Sequence, residues 1–287
     1  MQAKPWDFMV KDTPSRDWAE GKGALIAFAF FCGGVAGGLY LISLYFDNLL
    51  GMFIGWLFAL SMGIFDVAHL GRKAIVWRIA LRPNSSWISR GFIFVILFIG
   101  AAAVHMALHY WTPGTNWENV LSVVSGIAAF GVVTYSGFVL SYVSGIKFWS
   151  SAMMPVLFII TGFAGGSAIL LAISCFTGAS NFEAVRRLTI ALLISYTVVI
   201  AFYLWISTYH SDTARNSARE IFSGKLAWFF WTVVVFSGVV IPGIIVAVSD
   251  SGSHVPMVIN ALCILASNLA LRYMILKAGK YSSLLPA

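Results

Sequence analysis

"ALIAFAFFCGGVAGGLYLISLYF", residues 24–46, decides the fold class. It runs for 23 residues without a charged side chain. As a helix it reaches about 35 Å, enough to cross a hydrocarbon core of about 30 Å. A helix apolar on every face belongs inside a large core or a bilayer. Seven more runs of the same kind follow, roughly at 49–70, 91–110, 118–142, 152–176, 187–207, 225–248 and 256–276. The breaks between them carry turn and charge signals, as in "TPGTNWEN" at 112–119 and "SDSGSH" at 249–254. The whole chain of 287 residues is 60% hydrophobic and 10% charged, with a mean hydropathy of +0.87, against about 25% charged in soluble domains. The expected fold is therefore an all-α integral membrane protein with eight transmembrane helices.

The opening run also has an echo. Its "GVAGG" at 34–38 returns as "GFAGG" at 162–166 in the fifth run, and "LSY" at 140–142 returns as "LRY" at 271–273. Four crossings separate the copies, which predicts two tandem four-helix bundles in one orientation. The chain then divides into an interfacial segment (1–23), a first bundle (24–142), a connecting loop (143–151), a second bundle (152–276) and a tail (277–287). Small residues at this spacing let membrane helices approach closely. Without a strand or phosphate loop they give no cofactor signature.

Charge is distributed unevenly. An even number of spans puts both termini on one face, and that face collects 16 of the 18 Lys and Arg: four in the N-terminal segment, five in the 2–3 loop, one in the 4–5 loop, three in the 6–7 loop and three at the C-terminal end. The other face has Arg186 and Arg187. The positive-inside rule makes the basic face, and both termini, cytoplasmic. A net charge of +7 on a chain with no basic soluble domain points to the bilayer and not to nucleic acid. The first 23 residues, with equal acids and bases and no apolar centre, do not read as a cleaved signal peptide. Cys32, Cys175 and Cys263 are isolated, so neither an iron–sulfur cluster nor structural zinc is expected from them.

Ionisable groups inside spans are the candidates for function. Asp66 lies three residues before His69 near the basic end of the second run, on one helix face, and could pass a proton or pair with Arg72 or Lys73. Tyr135, in "VTYSGFVLSY", sits at a comparable depth in the fourth run, where a buried phenol needs a partner: a quinone carbonyl, or a neighbouring backbone or serine oxygen. Trp18 and Lys22 read as an interfacial anchor, with Glu20 an acid at the same mouth. His105 and His109, at i and i+4 near the far end of the third run, face one metal rather than two haems. His69 and His210 lie at the opposite boundary, so haem ligation is not expected.

The most specific stretch is "HLGRKAIVWRIALRPNSSWISRG", 69–91, with Arg72, Lys73, Arg78, Arg82 and Arg90 and no acid between Asp66 and Glu118. With it, the glycine-rich first run, "YSGFVLS" at 135–141, "PVLFIITGFAGG" at 155–166 and "LRYMILKAG" at 271–279 fall in an order that resembles the polysulfide reductase membrane-subunit (NrfD/PsrC-like) family over essentially the whole length. The resemblance implies a haem-free subunit of a respiratory oxidoreductase in a bacterial or archaeal cytoplasmic membrane. Such a subunit, without a cluster of its own, exchanges electrons between menaquinone or ubiquinone and an iron–sulfur subunit joined to a molybdopterin-type catalytic subunit. It implies that Tyr135 contacts the quinone and that Asp66 handles the proton. Where many members read "LGRP", this chain has Lys73, and its first run is apolar from Ala24 to Leu39. The second polar wall then falls to Glu20, Lys22 or His69. The arginine-rich loop is expected to dock the iron–sulfur subunit, since guanidinium groups suit carboxylate pairing. Two other classes remain open on the residues alone: a secondary transporter or channel, for which parallel repeats are also known, and a b-type cytochrome subunit.

Overall fold

The computed structural model describes residues 12–283, apart from Arg72 and Ala179. Among these residues eight helices are long and apolar enough to cross a membrane: Gly21–Tyr45, Leu49–His69, Trp87–Trp111, Asn116–Ser141, Met153–Thr177, Phe182–His210, Ala227–Val248 and His254–Ala278. They are called the first to eighth spans below. The described ends meet on one face, where Thr13–Pro14 pairs antiparallel with Lys280–Tyr281 and the Ser15 hydroxyl donates to the Gly279 carbonyl at 2.9 Å.

The first span is the hub. It packs on the second, fourth, fifth and eighth spans, and the fifth in turn packs on the fourth, sixth and eighth. Burial follows: the most apolar windows of the first and fourth spans are 72% buried, against 28% in the second and 22% in the seventh, which are mostly exposed. The repeated glycines explain how two backbones come so close, because the two copies pack on each other. A Cβ on Gly38 would overlap the Gly162 carbonyl, one on Gly166 would meet the Leu39 backbone, and one on Gly162 would stand 2.6 Å from the Gly34 carbonyl oxygen. Without a hydrophobic force between helices in lipid, such backbone contact is what holds them. Gly38→Ala is therefore expected to destabilise by about 1–3 kcal/mol, read as a lower unfolding midpoint in detergent. Gly100→Ala, which points into open space, should leave the midpoint unchanged.

Three connections are more structured than their composition suggests. The 143–151 loop buries Ile146, Phe148 and Trp149, with the Trp149 indole N–H donating to the Ile275 carbonyl at 2.8 Å and the Tyr203 hydroxyl to the Phe148 carbonyl at 2.8 Å. The 6–7 connection contains the helix Asp212–Phe222, which buries Ala214, Ala218 and Ile221 and is tied to the tail by Lys280 and Glu220 at 2.6 Å. The 2–3 connection holds a 3₁₀ turn, Lys73–Leu81. The seventh span carries a π-helical stretch, Phe230–Val240. There the Ser267 hydroxyl of the eighth span donates to the Val234 carbonyl at 3.2 Å, supplying a partner where the wider helical register loosens the α-type ladder.

Candidate functional site

At the basic end of the first four spans lies a cavity of about 910 Å³. Its wall is overwhelmingly apolar, with Phe30 from the first span, Leu60 from the second, Val95 from the third and Val139 from the fourth. Ile64, Ile88 and Ile96 of the second and third spans line it and are more than half exposed, so the cavity is open along these two spans.

Two of the residues singled out from sequence meet inside it. Tyr135 and Asp66 both line the cavity, with the phenol and the carboxyl close enough to interact. Tyr135 is only 6% exposed. Its ring lies against Gly91, where any side chain would overlap it, and Phe30 meets it edge-on at 6.3 Å. The phenol is held in place by packing while its hydroxyl faces the one intramembrane acid of the site. His69 and Lys73 line the same cavity at its outer, basic end.

Other expected residues lie elsewhere. Glu20 and Lys22 are exposed and outside the cavity wall; the left-handed Gly21 (φ 58°) redirects the backbone at the very start of the first span. Asp17 and Trp18 stand at the cavity instead, Trp18 fixed by its indole N–H donating to the Tyr281 hydroxyl at 3.2 Å. In the loop, Arg78 and Arg82 are exposed. Arg90 is turned back on its own segment, donating to the Pro83 carbonyl at 2.7 Å and the Asn84 carbonyl at 2.9 Å with its guanidinium 4.5 Å over the Trp87 ring. It braces the loop rather than projecting from it. Arg72 lies outside the described residues.

One buried cation escapes the sequence reading. Arg272, counted there among the basic residues of the C-terminal end, is 1% exposed between the first, fifth and eighth spans. Its guanidinium sits 4.9 Å over the Phe158 ring and donates to the Phe158 carbonyl at 3.4 Å, in room left by Gly34. An arginine inside an apolar run was the available signal; its place near the end of that run disguised it. Removing it from the topology count leaves 15 basic residues against two, so the asymmetry stands.

A family profile described as "Polysulphide reductase, NrfD" matches residues 22–282. Among individual proteins, the chain is 30% identical over 170 residues to the polysulfide reductase C protein of Wolinella succinogenes, covering 56% of this sequence and 53% of that protein. It is 27% identical over 243 residues to protein NrfD of Escherichia coli, covering 75% and 76%. With the selenate reductase C protein of Mesobacillus selenatarsenatis it shares 22% over 168 residues, 56% of this sequence and 39% of that one. The match thus spans about half of the first relative and three quarters of the second.

Proposed function

The chain belongs to the NrfD family of polysulfide reductases, and from that premise we propose that it is the membrane subunit of a multi-subunit respiratory oxidoreductase. Its role in this reading is to exchange electrons between a membrane quinone, menaquinone or ubiquinone, and an iron–sulfur subunit docked on its basic face. That partner in turn joins a molybdopterin-type catalytic subunit. The reading places the site in the first of the two four-helix units, and the basic face in the cytoplasm.

The observation that carries the proposal is the Tyr135–Asp66 pair on the wall of an open, apolar cavity. The fit to a quinone can be tested on this wall. A flat ring with a long isoprenoid tail needs an apolar slot, a way in and a polar group at the ring's carbonyl end; the open, apolar wall with Tyr135 and Asp66 on it supports that reading. When bound, the quinone supplies two-electron, two-proton chemistry. The protein supplies position and protons. The Tyr135 hydroxyl, with its proton turned to the ring, donates to a quinone carbonyl, and the Asp66 carboxyl takes or gives the proton. His69 and Lys73, at the outer end of the wall, lead from Asp66 toward water on the basic face. The surrounding aliphatic side chains exclude water from the rest of the cavity.

Tyr135→Phe tests the reading directly, because it keeps the ring between Gly91 and Phe30 and removes only the hydroxyl. Quinol-linked turnover should fall roughly 10- to 100-fold, the range for a hydrogen bond to a charged or reacting group, with a raised KM for the quinol. Turnover and KM at wild-type values would take the phenol out of the site.

A further inference from the structure

At the opposite face the third and fourth spans form a hairpin through the left-handed Gly114 (φ 79°), and there a second set of side chains converges. We propose that His105, His109 and Glu118 bind a divalent transition-metal ion of the zinc class, independently of the quinone reading. One ligand atom from each lies within 4.8 Å of the others. His105 and His109 come from one helix face at i and i+4, and Glu118 from the first turn of the facing helix, where the Thr115 hydroxyl oxygen accepts from its backbone N–H at 3.3 Å. Two imidazoles and a carboxylate with a fourth position left for water is a donor set suited to zinc.

What distinguishes the cluster from an ordinary ion pair is how its outer atoms are held. Ligating histidines nearly always donate their other ring N–H to a fixed partner. The Ser125 hydroxyl donates to the Ser122 carbonyl at 3.1 Å, so it accepts the Tyr40 hydroxyl proton at 2.9 Å. Tyr40 oxygen must then accept from His105 Nδ1, 2.8 Å away. This donor relay leaves the His105 Nε2 lone pair free. Among the described residues the hydrogen bond of the His105 ring is made by Nδ1. His109 is arranged alike: Nε2 faces Asp47 Oδ1 at 3.4 Å, while Nδ1 meets Glu118 Oε1 at 2.8 Å. Glu118 Oε2, the oxygen left over, accepts the Gly114 backbone N–H at 2.5 Å. Donor atoms around a tetrahedral zinc with bonds of about 2.0–2.1 Å stand about 3.3 Å apart, so the ion enters by opening the His109–Glu118 contact by about half an ångström. Glu118 and Asp47 supply two negative charges to offset those of the ion. The site joins the third and fourth spans and, through Tyr40 and Asp47, braces the end of the first.

The test uses the full-length protein purified in detergent, stripped with a chelator and titrated with zinc, or with cobalt(II) as a visible probe. One zinc per polypeptide should survive gel filtration and raise the unfolding midpoint, and cobalt should give d–d bands. His105→Gln and Glu118→Gln should each retain less than about a tenth of the metal. Asp47→Asn, exposed and still suited to the left-handed backbone at that position (φ 54°), should weaken binding about 10- to 100-fold by releasing His109. His210→Gln, on the other face, should bind as wild type does. Should a variant fail to fold, Asp47→Asn alone decides through its affinity. Wild-type protein that keeps no zinc, or zinc content unchanged in His105→Gln and Glu118→Gln with wild-type melting, would overturn the site and leave an ion pair only.

Discussion

Asp66→Asn should stop quinol-linked turnover while the complex keeps its activity with artificial dyes. Asparagine has the volume of aspartate, so the packing between Tyr135, Gly91 and Phe30 is untouched. What it lacks is a proton to exchange. General acid–base groups contribute about 10²–10⁴-fold, which sets the expected loss in kcat. The loss should fall on kcat with KM little moved, the opposite emphasis to Tyr135→Phe, whose hydroxyl positions the ring. Steady-state kinetics with quinol and with dye, on the same preparation and with a matched unfolding midpoint, separate the two effects. Quinol turnover retained in Asp66→Asn would remove the carboxylate from the proton path.

The eight spans are legible because an apolar run of about 20 residues settles its own conformation in lipid. Their ends are less so. The third span begins at Trp87 rather than 91, because the Ser86 hydroxyl caps it by accepting from the Ser89 N–H at 3.4 Å and carries the polar "ISRG" into the helix. The sixth span runs Phe182–His210 rather than 187–207, taking in Arg186 as well, since Arg186 finds Glu183 at 3.1 Å and the Val246 carbonyl at 2.7 Å. The repeat "GVAGG"/"GFAGG" is visible in the sequence, but that its copies pack on each other is not; small residues advertise a close neighbour without naming it. Depth along two runs that both head toward the basic face is enough to bring Asp66 and Tyr135 to one level, and both line one cavity. The rest of the cavity wall carries no polar signal and depends on which helices become neighbours, so Gly91 as the seat of the Tyr135 ring could be found only in the fold. The same holds for Arg272, whose burial is decided by Gly34 on a helix far away in sequence.

The larger consequence for assembly concerns the 2–3 loop. If the proposed iron–sulfur subunit docks there, reversing Arg78 and Arg82 together to Glu should weaken its attachment by more than about 100-fold, because losing one side of a desolvated charge pair costs about 2–5 kcal/mol and about 1.4 kcal/mol is a factor of ten. Both side chains are exposed beside the cavity, and Lys73 of the same turn lines it, so a partner seated there would lie next to the quinone. Charge alone is not the argument. Lys147 and Lys225 lie on the same face and are also exposed. Their double reversal changes the net charge equally, yet it should leave the complex whole on mild detergent extraction. If the loop arginines only orient the protein or hold lipid headgroups, both pairs behave alike: subunits stay together, and insertion suffers in each. Co-purification of the partner, measured for both variants across a range of ionic strength, decides between docking and topology. A complex from Arg78→Glu/Arg82→Glu as stable as that from the lysine pair would place the docking surface elsewhere on the basic face.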